Sequence, residues 1–163
     1  MSIATAPVQK PITGNEDLGD LSQPLQALAQ FYRAFNSYDI QMMAENWAST
    51  DESIVMDNPV GGIRRGWPEI RAVYEKIFHT GGATVKVEFY DYTLHNVGEV
   101  FWVVGRERGT SQRDGRSLRL AIRTTRLFRR INGRWRQVHH HGSFEDAVLL
   151  KSYQDAVGYK TAA

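Results

Sequence analysis

A chain of 163 residues suffices for one compact domain and is too short for two ordinary ones. Its 42% hydrophobic, 23% charged and 11% aromatic residues exclude a disordered, collagenous or fibrous polymer, and the absence of cysteine removes disulfides, thiolate metal sites and cysteine nucleophiles. The formal net charge of +2 conceals an uneven distribution: residues 1–100 carry 7 basic and 13 acidic side chains, residues 101–140 carry 11 and 2, and every basic residue of that middle block is an arginine. No apolar run approaches the roughly 20 residues of a membrane span, and the N-terminus lacks the charged-then-apolar pattern of a secretory signal. The expectation is therefore a soluble cytoplasmic protein with no membrane partner.

Residues 1–21, with Pro7, Pro11, Gly14 and Gly19 and few large apolar groups, read as a disordered arm. From Ser22 the pattern changes. Leu25, Leu28, Ala29, Tyr32 and Phe35 or Asn36 recur at spacings of three and four, which predicts an amphipathic helix with Ser22 as its cap and Pro24 in its first turn. A second short helix is predicted from Asp39, its cap, to Trp47, with Ile40, Met43 and Trp47 on one face. Ser53 to Asp57 reads as a short strand that Pro59, Gly61 and Gly62 end in a loop. Trp67 to Phe78 is a third helix with Ile70, Val73, Tyr74, Ile77 and Phe78 as its apolar stripe, closed by Gly81 and Gly82.

After Ala83 the period falls from about 3.6 to 2. Strands are predicted near 84–95, 98–111, 117–131 and 134–142, with turns at Asn96 to Gly98, at Asp114-Gly115 and, most clearly, at Asn132-Gly133. Residues 146–163 read as a C-terminal helix or tail. Three helices followed by four long antiparallel strands make an α+β domain whose sheet must curl over the helices, and a bent sheet closed by helices leaves a conical interior suited to a ligand pocket.

These elements carry a resemblance. The segment "FNSYDIQMMAENWASTDESIVMDNPVGGIRRGWPEIRAVYEKIF" resembles the helix, short strand, Pro-Gly loop and third helix of the cone-shaped nuclear transport factor two-like fold. Its loop "MDNPVGG" is similar to that of ketosteroid isomerase and the SnoaL-like polyketide cyclases. The segment "RTTRLFRRINGRWRQVHHHGS" resembles the last two strands of the calcium/calmodulin-dependent kinase association domain and its bacterial relatives. Together the matches span residues 22–145, taken as one SnoaL-like domain. They imply three N-terminal helices packed in a strongly curved antiparallel sheet, a scaffold that serves isomerases, cyclases, dehydratases and non-catalytic modules alike.

In ketosteroid isomerase a carboxylate before the Pro-Gly loop is the base, and a tyrosine on the first helix and a protonated aspartate bind the oxyanion. Here Asn58 stands immediately before Pro59, Asp57 one position earlier is expected on the opposite face, and the tyrosine position falls at Phe31 or Tyr32. No carboxylate occurs between Ser117 and Ile131. The familiar steroid isomerase mechanism therefore does not transfer.

Strand alternation selects other residues. Leu118, Leu120, Ile122, Thr124, Arg126 and Phe128 share one face, and Arg126 is the only charge on that row. It must pair with a carboxylate, such as Glu75 on the third helix, or anchor an anion or carbonyl in the pocket. Trp135, Gln137, His139 and His141 share a face by the same counting, with Val138 and His140 on the other. His139 and His141 can line the cone or a subunit interface, transfer protons to and from a carbonyl or enol, or ligate a metal, although no third ligand stands at a suitable spacing. Ser143 lacks an orienting carboxylate and reads as a strand end.

Two functions are carried forward. The first is a small-molecule-binding domain performing cofactor-free acid/base isomerisation, cyclisation or dehydration on a hydrophobic carbonyl compound. In it His139 and His141 transfer protons and Arg126 stabilises an oxyanion, while Tyr32, Trp47, Asn58, Trp67, Tyr74, Phe78 and Trp102 contact the ligand. The second, implied by the association-domain resemblance, is a non-catalytic module that forms a homodimer or larger ring through its sheet face. No nucleic-acid motif accompanies the arginine block, and alternation assigns most of it to a sheet surface opposite the cone.

Overall fold

The computed structural model of the chain describes residues 9–79 and 83–158. Helix α1 (Pro24–Ser37) buries Leu28, Phe31 and Tyr32, the face its spacing predicts. Its cap is Gln23 rather than Ser22, because Asp20 already takes the Ser22 amide on its side chain and the Gln23 amide on its carbonyl. Tyr38, in the left-handed region at φ 60°, ends the helix by donating its amide to the Ala34 and Phe35 carbonyls. Helix α2 (Ile40–Asn46) is capped by the Asp39 carboxylate, which accepts from the Met42 amide. Helix α3 (Gly66–Phe78) buries Ile70 and Tyr74. Gly81 and Gly82, expected to close it, lie outside the described residues.

The strands are β1 (Val55–Asp57), β2 (Ile63–Arg65), β3 (Thr84–Val97), β4 (Val100–Arg113), β5 (Arg116–Ile131) and β6 (Arg134–Phe144), in the order β2-β1-β6-β5-β4-β3. Asp114-Gly115 and Asn132-Gly133 all have positive φ, as tight hairpins require. The expected antiparallel sheet is mixed in one place. β1 leaves the helical layer and pairs parallel to β6, placing Val55, Met56 and Asp57 against His139, His140 and His141, and the three-residue β2 was not visible as a strand in the sequence.

β3 bulges between Tyr90 and Thr93, opposite Gly105 of β4. A Cβ on Gly109 would lie 1.9 Å from the Lys86 carbonyl oxygen, and one on Gly105 would lie 2.6 Å from the Phe89 ring. Only glycine permits this approach of the two strands. β3 is an edge strand, and the chain covers it. Ile12 exchanges both backbone hydrogen bonds with Phe89, Asn36 and Tyr38 side chains bond the backbone of Val87 and Val85, and Gln9 does the same at Tyr92. The expected disordered arm is thus corrected from Gln9 onward: Ile12 is buried because it completes the sheet edge, while residues 1–8 lie outside the described residues.

Helix α4 (Ala147–Ala156), capped by Asp146, packs Leu149, Leu150 and Tyr153 against the core and ties to the Pro-Gly loop through Gln154 Nε2, which donates to the Val60 carbonyl. Among the described residues no helix is long and apolar enough to cross a membrane.

Candidate functional site

Arg126 sits on the inner row of β5 with Leu120, Ile122, Thr124 and Phe128, and at 2% exposure its charge must be answered within the protein. The answer comes from β4, whose inner face runs through Phe101 and Val103 to Glu107, itself buried. Arg126 Nη2 donates to Glu107 Oε1 at 2.7 Å, Nη1 to Gln137 Oε1 at 2.8 Å and Nε to the Tyr32 hydroxyl at 3.4 Å. Tyr32 donates to the same Glu107 oxygen at 2.7 Å, and the Phe31 ring covers the guanidinium with its centroid 3.5 Å from Cζ. Burial works against the Arg126 charge, but Tyr32 and Glu107 outweigh it and hold the pKa above its ordinary value. Burial, then the Glu107 charge, pushes the Tyr32 hydroxyl well above its usual range, so it stays a donor. One guanidinium and one carboxylate leave the cluster close to neutral.

Directly across the ladder from Arg126 is His140, which β1 flanks at Met56. It is buried, and neither ring nitrogen makes a hydrogen bond among the described residues. Burial, then the Arg126 charge, holds the imidazole well below its ordinary pKa, so at neutral pH it offers one donor and one acceptor. The Tyr74 hydroxyl of α3 is likewise buried and unbonded, and burial pushes its pKa up to about 12. His140, Tyr74, Arg126, Glu107 and Asn58 line one cavity of about 70 Å³ whose remaining walls are mainly apolar, among them Phe31, Met56, Leu120 and Phe144. It adjoins an outer space of about 120 Å³ under α4.

Several expectations need correction. His139 and His141 do not face the cone. The register shifts between Leu127 and Phe128, where β6 bulges at Val138 and His139, so the inner face passes from Trp135 and Gln137 to His140, Gly142 and Phe144. His139 Nδ1 lies 3.1 Å from the Val55 carbonyl oxygen, and His141, more than half exposed, has Nδ1 3.4 Å from Asp57 Oδ2. No group of three or more histidine, aspartate and glutamate side chains converges on a metal position among the described residues. Glu75 pairs with Arg71 one turn away on α3 and leaves Arg126 to Glu107.

Of the expected ligand contacts, Asn58 and Tyr74 line the cavity. Tyr32 lies behind Arg126 with its hydroxyl committed to Glu107, and Phe78 stacks behind Tyr74 at 6.0 Å. Trp47 is fully buried beside Gln137, outside the cavity, and Trp67 at the start of α3 is half-buried but not in its wall. Trp102 stacks on His95 at 5.1 Å on the outer face of the sheet.

Two members of the site escaped the sequence reading. Glu107 was legible, since it is a lone carboxylate on the alternating row of Phe101 and Val103. His140 was detectable only as a conflict of parity: Trp135 and Phe144 cannot share a face nine residues apart unless a bulge lies between them.

The SnoaL-like domain family model matches residues 25–147. Among solved structures, the chain is similar to a candidate dehydratase of the nuclear transport factor two-like family from Streptomyces avermitilis, at 19% identity and a TM-score of 0.66 over 74% of this chain and 93% of that one. It is also similar to a candidate calcium/calmodulin-dependent protein kinase type II association domain from Thiobacillus denitrificans, at 24% identity and a TM-score of 0.63 over 76% of this chain and 96% of that one. A protein with a cystatin-like fold from Caulobacter vibrioides matches at 20% identity and a TM-score of 0.59, covering 79% and 92%. No match was found among curated proteins. At these identities the structural likenesses establish a shared fold.

Proposed function

We propose that this chain, which belongs to the SnoaL-like domain family, binds a small hydrophobic carbonyl compound in its cone and moves a proton on it without a cofactor, with His140 as the proton carrier. The observation that carries this reading is the His140 ring itself: buried, unbonded at both nitrogens among the described residues, and set in the wall of a cavity beside Arg126. An unsatisfied buried polar group costs about 1–3 kcal/mol, a cost that a ligand at the ring recovers.

The reaction class follows from the donors and acceptors in the wall. A C–H bond next to the carbonyl breaks, its proton passes to the unprotonated nitrogen of His140, and the electron pair moves to the carbonyl oxygen as an enolate. Tyr74 O–H and the remaining N–H groups of Arg126 are the donors available to that oxygen. Returning the proton to another carbon isomerises the compound. Attack of the enolate on a second carbonyl cyclises it, and loss of a β-hydroxyl that takes the proton from His140 releases water. An inner cavity of about 70 Å³ is well below the several hundred Å³ of a drug-sized site, so only a few non-hydrogen atoms reach His140.

The elementary step is measurable without knowing the substrate. Exchange of the α-hydrogens of cyclopentanone in deuterated water, followed by proton NMR, should exceed the buffer rate with the wild-type protein. It should fall by about 100-fold or more in His140→Gln and persist in His139→Gln and His141→Gln.

A second reading concerns assembly. On the outer face Val104 is 48% exposed, and the half-buried Trp102 and Leu127 extend the apolar surface around it. This favours a homodimer through the sheet, compatible with either a catalytic or a purely associative role.

A further inference from the structure

We infer that the ligand is an amphipathic anion, whose neutral carbonyl end enters to His140 while a carboxylate or phosphate stays at the mouth between Arg64 and Arg113. This rests on the reading of the inner cavity as a ligand site. Inner cavity and mouth adjoin, with Asn58, Val60, Val73, Ile77, Val85 and Tyr153 in the walls of both. Their electrostatics differ sharply. In the inner part Arg126 is matched by Glu107 and His140 is neutral, so its donors serve a carbonyl or enolate oxygen but it holds no unmatched positive charge for a carboxylate or phosphate.

At the mouth Arg64, Lys76 and Arg113 contribute positive charge, and no aspartate or glutamate lines it among the described residues. The Arg64 side chain makes no hydrogen bond or ion pair among the described residues, and its guanidinium lies over Gly62, where an added Cβ would sit 3.3 Å from Nη1. Arg113 ends the inner row of β4, and its carboxylate neighbour is Asp114, whose side chain is 86% exposed with Oδ2 4.0 Å away, a loose pair of little strength. A cleft of one charge sign with apolar walls concentrates ligands of the opposite sign. The polarity of the cavity therefore orients the molecule as well as selecting it.

The test uses three probes with one spacing between ketone carbon and acid centre, 6-oxoheptanoate, its methyl ester and 4-oxopentyl phosphate, titrated calorimetrically into the wild-type protein, into Arg64→Gln combined with Arg113→Gln, and into His140→Phe. The wild type should bind an anionic probe about tenfold more tightly than the ester at low salt, with the advantage shrinking at high salt. The arginine double variant should lose that advantage and keep the ester's affinity, whereas His140→Phe should weaken all three probes. The stronger of the two anions identifies the charged group. Equal affinity of ester and anions, or an anion preference that survives in the double variant, overturns the inference. In that case ester binding that His140→Phe weakens leaves the cavity reading standing, while failure of every probe to bind removes both.

Discussion

Arg126 and His140 are cross-strand partners on β5 and β6, and both side chains turn into the cone. A permanent cation and an uncharged imidazole are thereby held side by side in a small, largely apolar space. The cation helps to keep the imidazole unprotonated, and Glu107 keeps the cation from dominating the field.

Acid should weaken the fold through His140. Its folded pKa lies well below the unfolded value near 6.5, so below that pH the unfolded chain binds a proton that the folded chain refuses. Stability is full above about pH 6.5 and falls as pH drops, with a slope of at most about 1.4 kcal/mol per pH unit from this group. Urea denaturation of the wild type and of His140→Phe across this range should give a difference that grows toward acid pH in favour of the variant. A constant difference would show that His140 protonates freely in the folded state.

Breaking the buried ion pair should cost more than replacing it. Glu107→Gln leaves the Arg126 charge buried without its carboxylate and should destabilise by about 3–5 kcal/mol. Joint replacement by Glu107→Leu and Arg126→Met should cost less than the sum of the two single changes, and a double-mutant cycle measures that coupling. Additive losses would mean that the pair is not a unit.

Assembly through the outer face should depend on Val104. In sedimentation velocity at micromolar concentration the wild type should run as a dimer, and Val104→Glu should run as a monomer with an unchanged thermal transition. A monomeric wild type would refute the associative reading. The two rows flanking this surface, Trp102-Leu127-His139 and Val104-Thr125-His141, place the two outward histidines on that face.

How far the molecule was legible in its sequence depended on how local each signal was. The helical face of Leu28 and Tyr32, the Asp39 cap and the Asn132-Gly133 hairpin are set within a few residues, and all appear in the structure. So does the isolation of Arg126 on an apolar row, because alternation on β5 runs unbroken from Ile122 to Phe128. What counting missed was non-local. The bulge on β6 inverts the parity of the three histidines, and the need for glycine at positions 105 and 109 comes from the close approach of Phe89 and Lys86 on β3. The acidic first hundred residues point Arg126 to a helical carboxylate such as Glu75, whereas Glu107 comes from the adjacent strand of the same sheet.

The central claim is that His140, and neither of its neighbours, meets the ligand in an unprotonated state. Long-range nitrogen-15 correlation spectra of the histidine rings, recorded through a pH titration with and without 6-oxoheptanoate, test it most directly. The His140 ring should stay neutral well below pH 6.5 and its two nitrogen resonances should move on addition of the probe, with those of His139 and His141 unmoved. A His140 ring that titrates near 6.5 and ignores the probe would contradict the assignment.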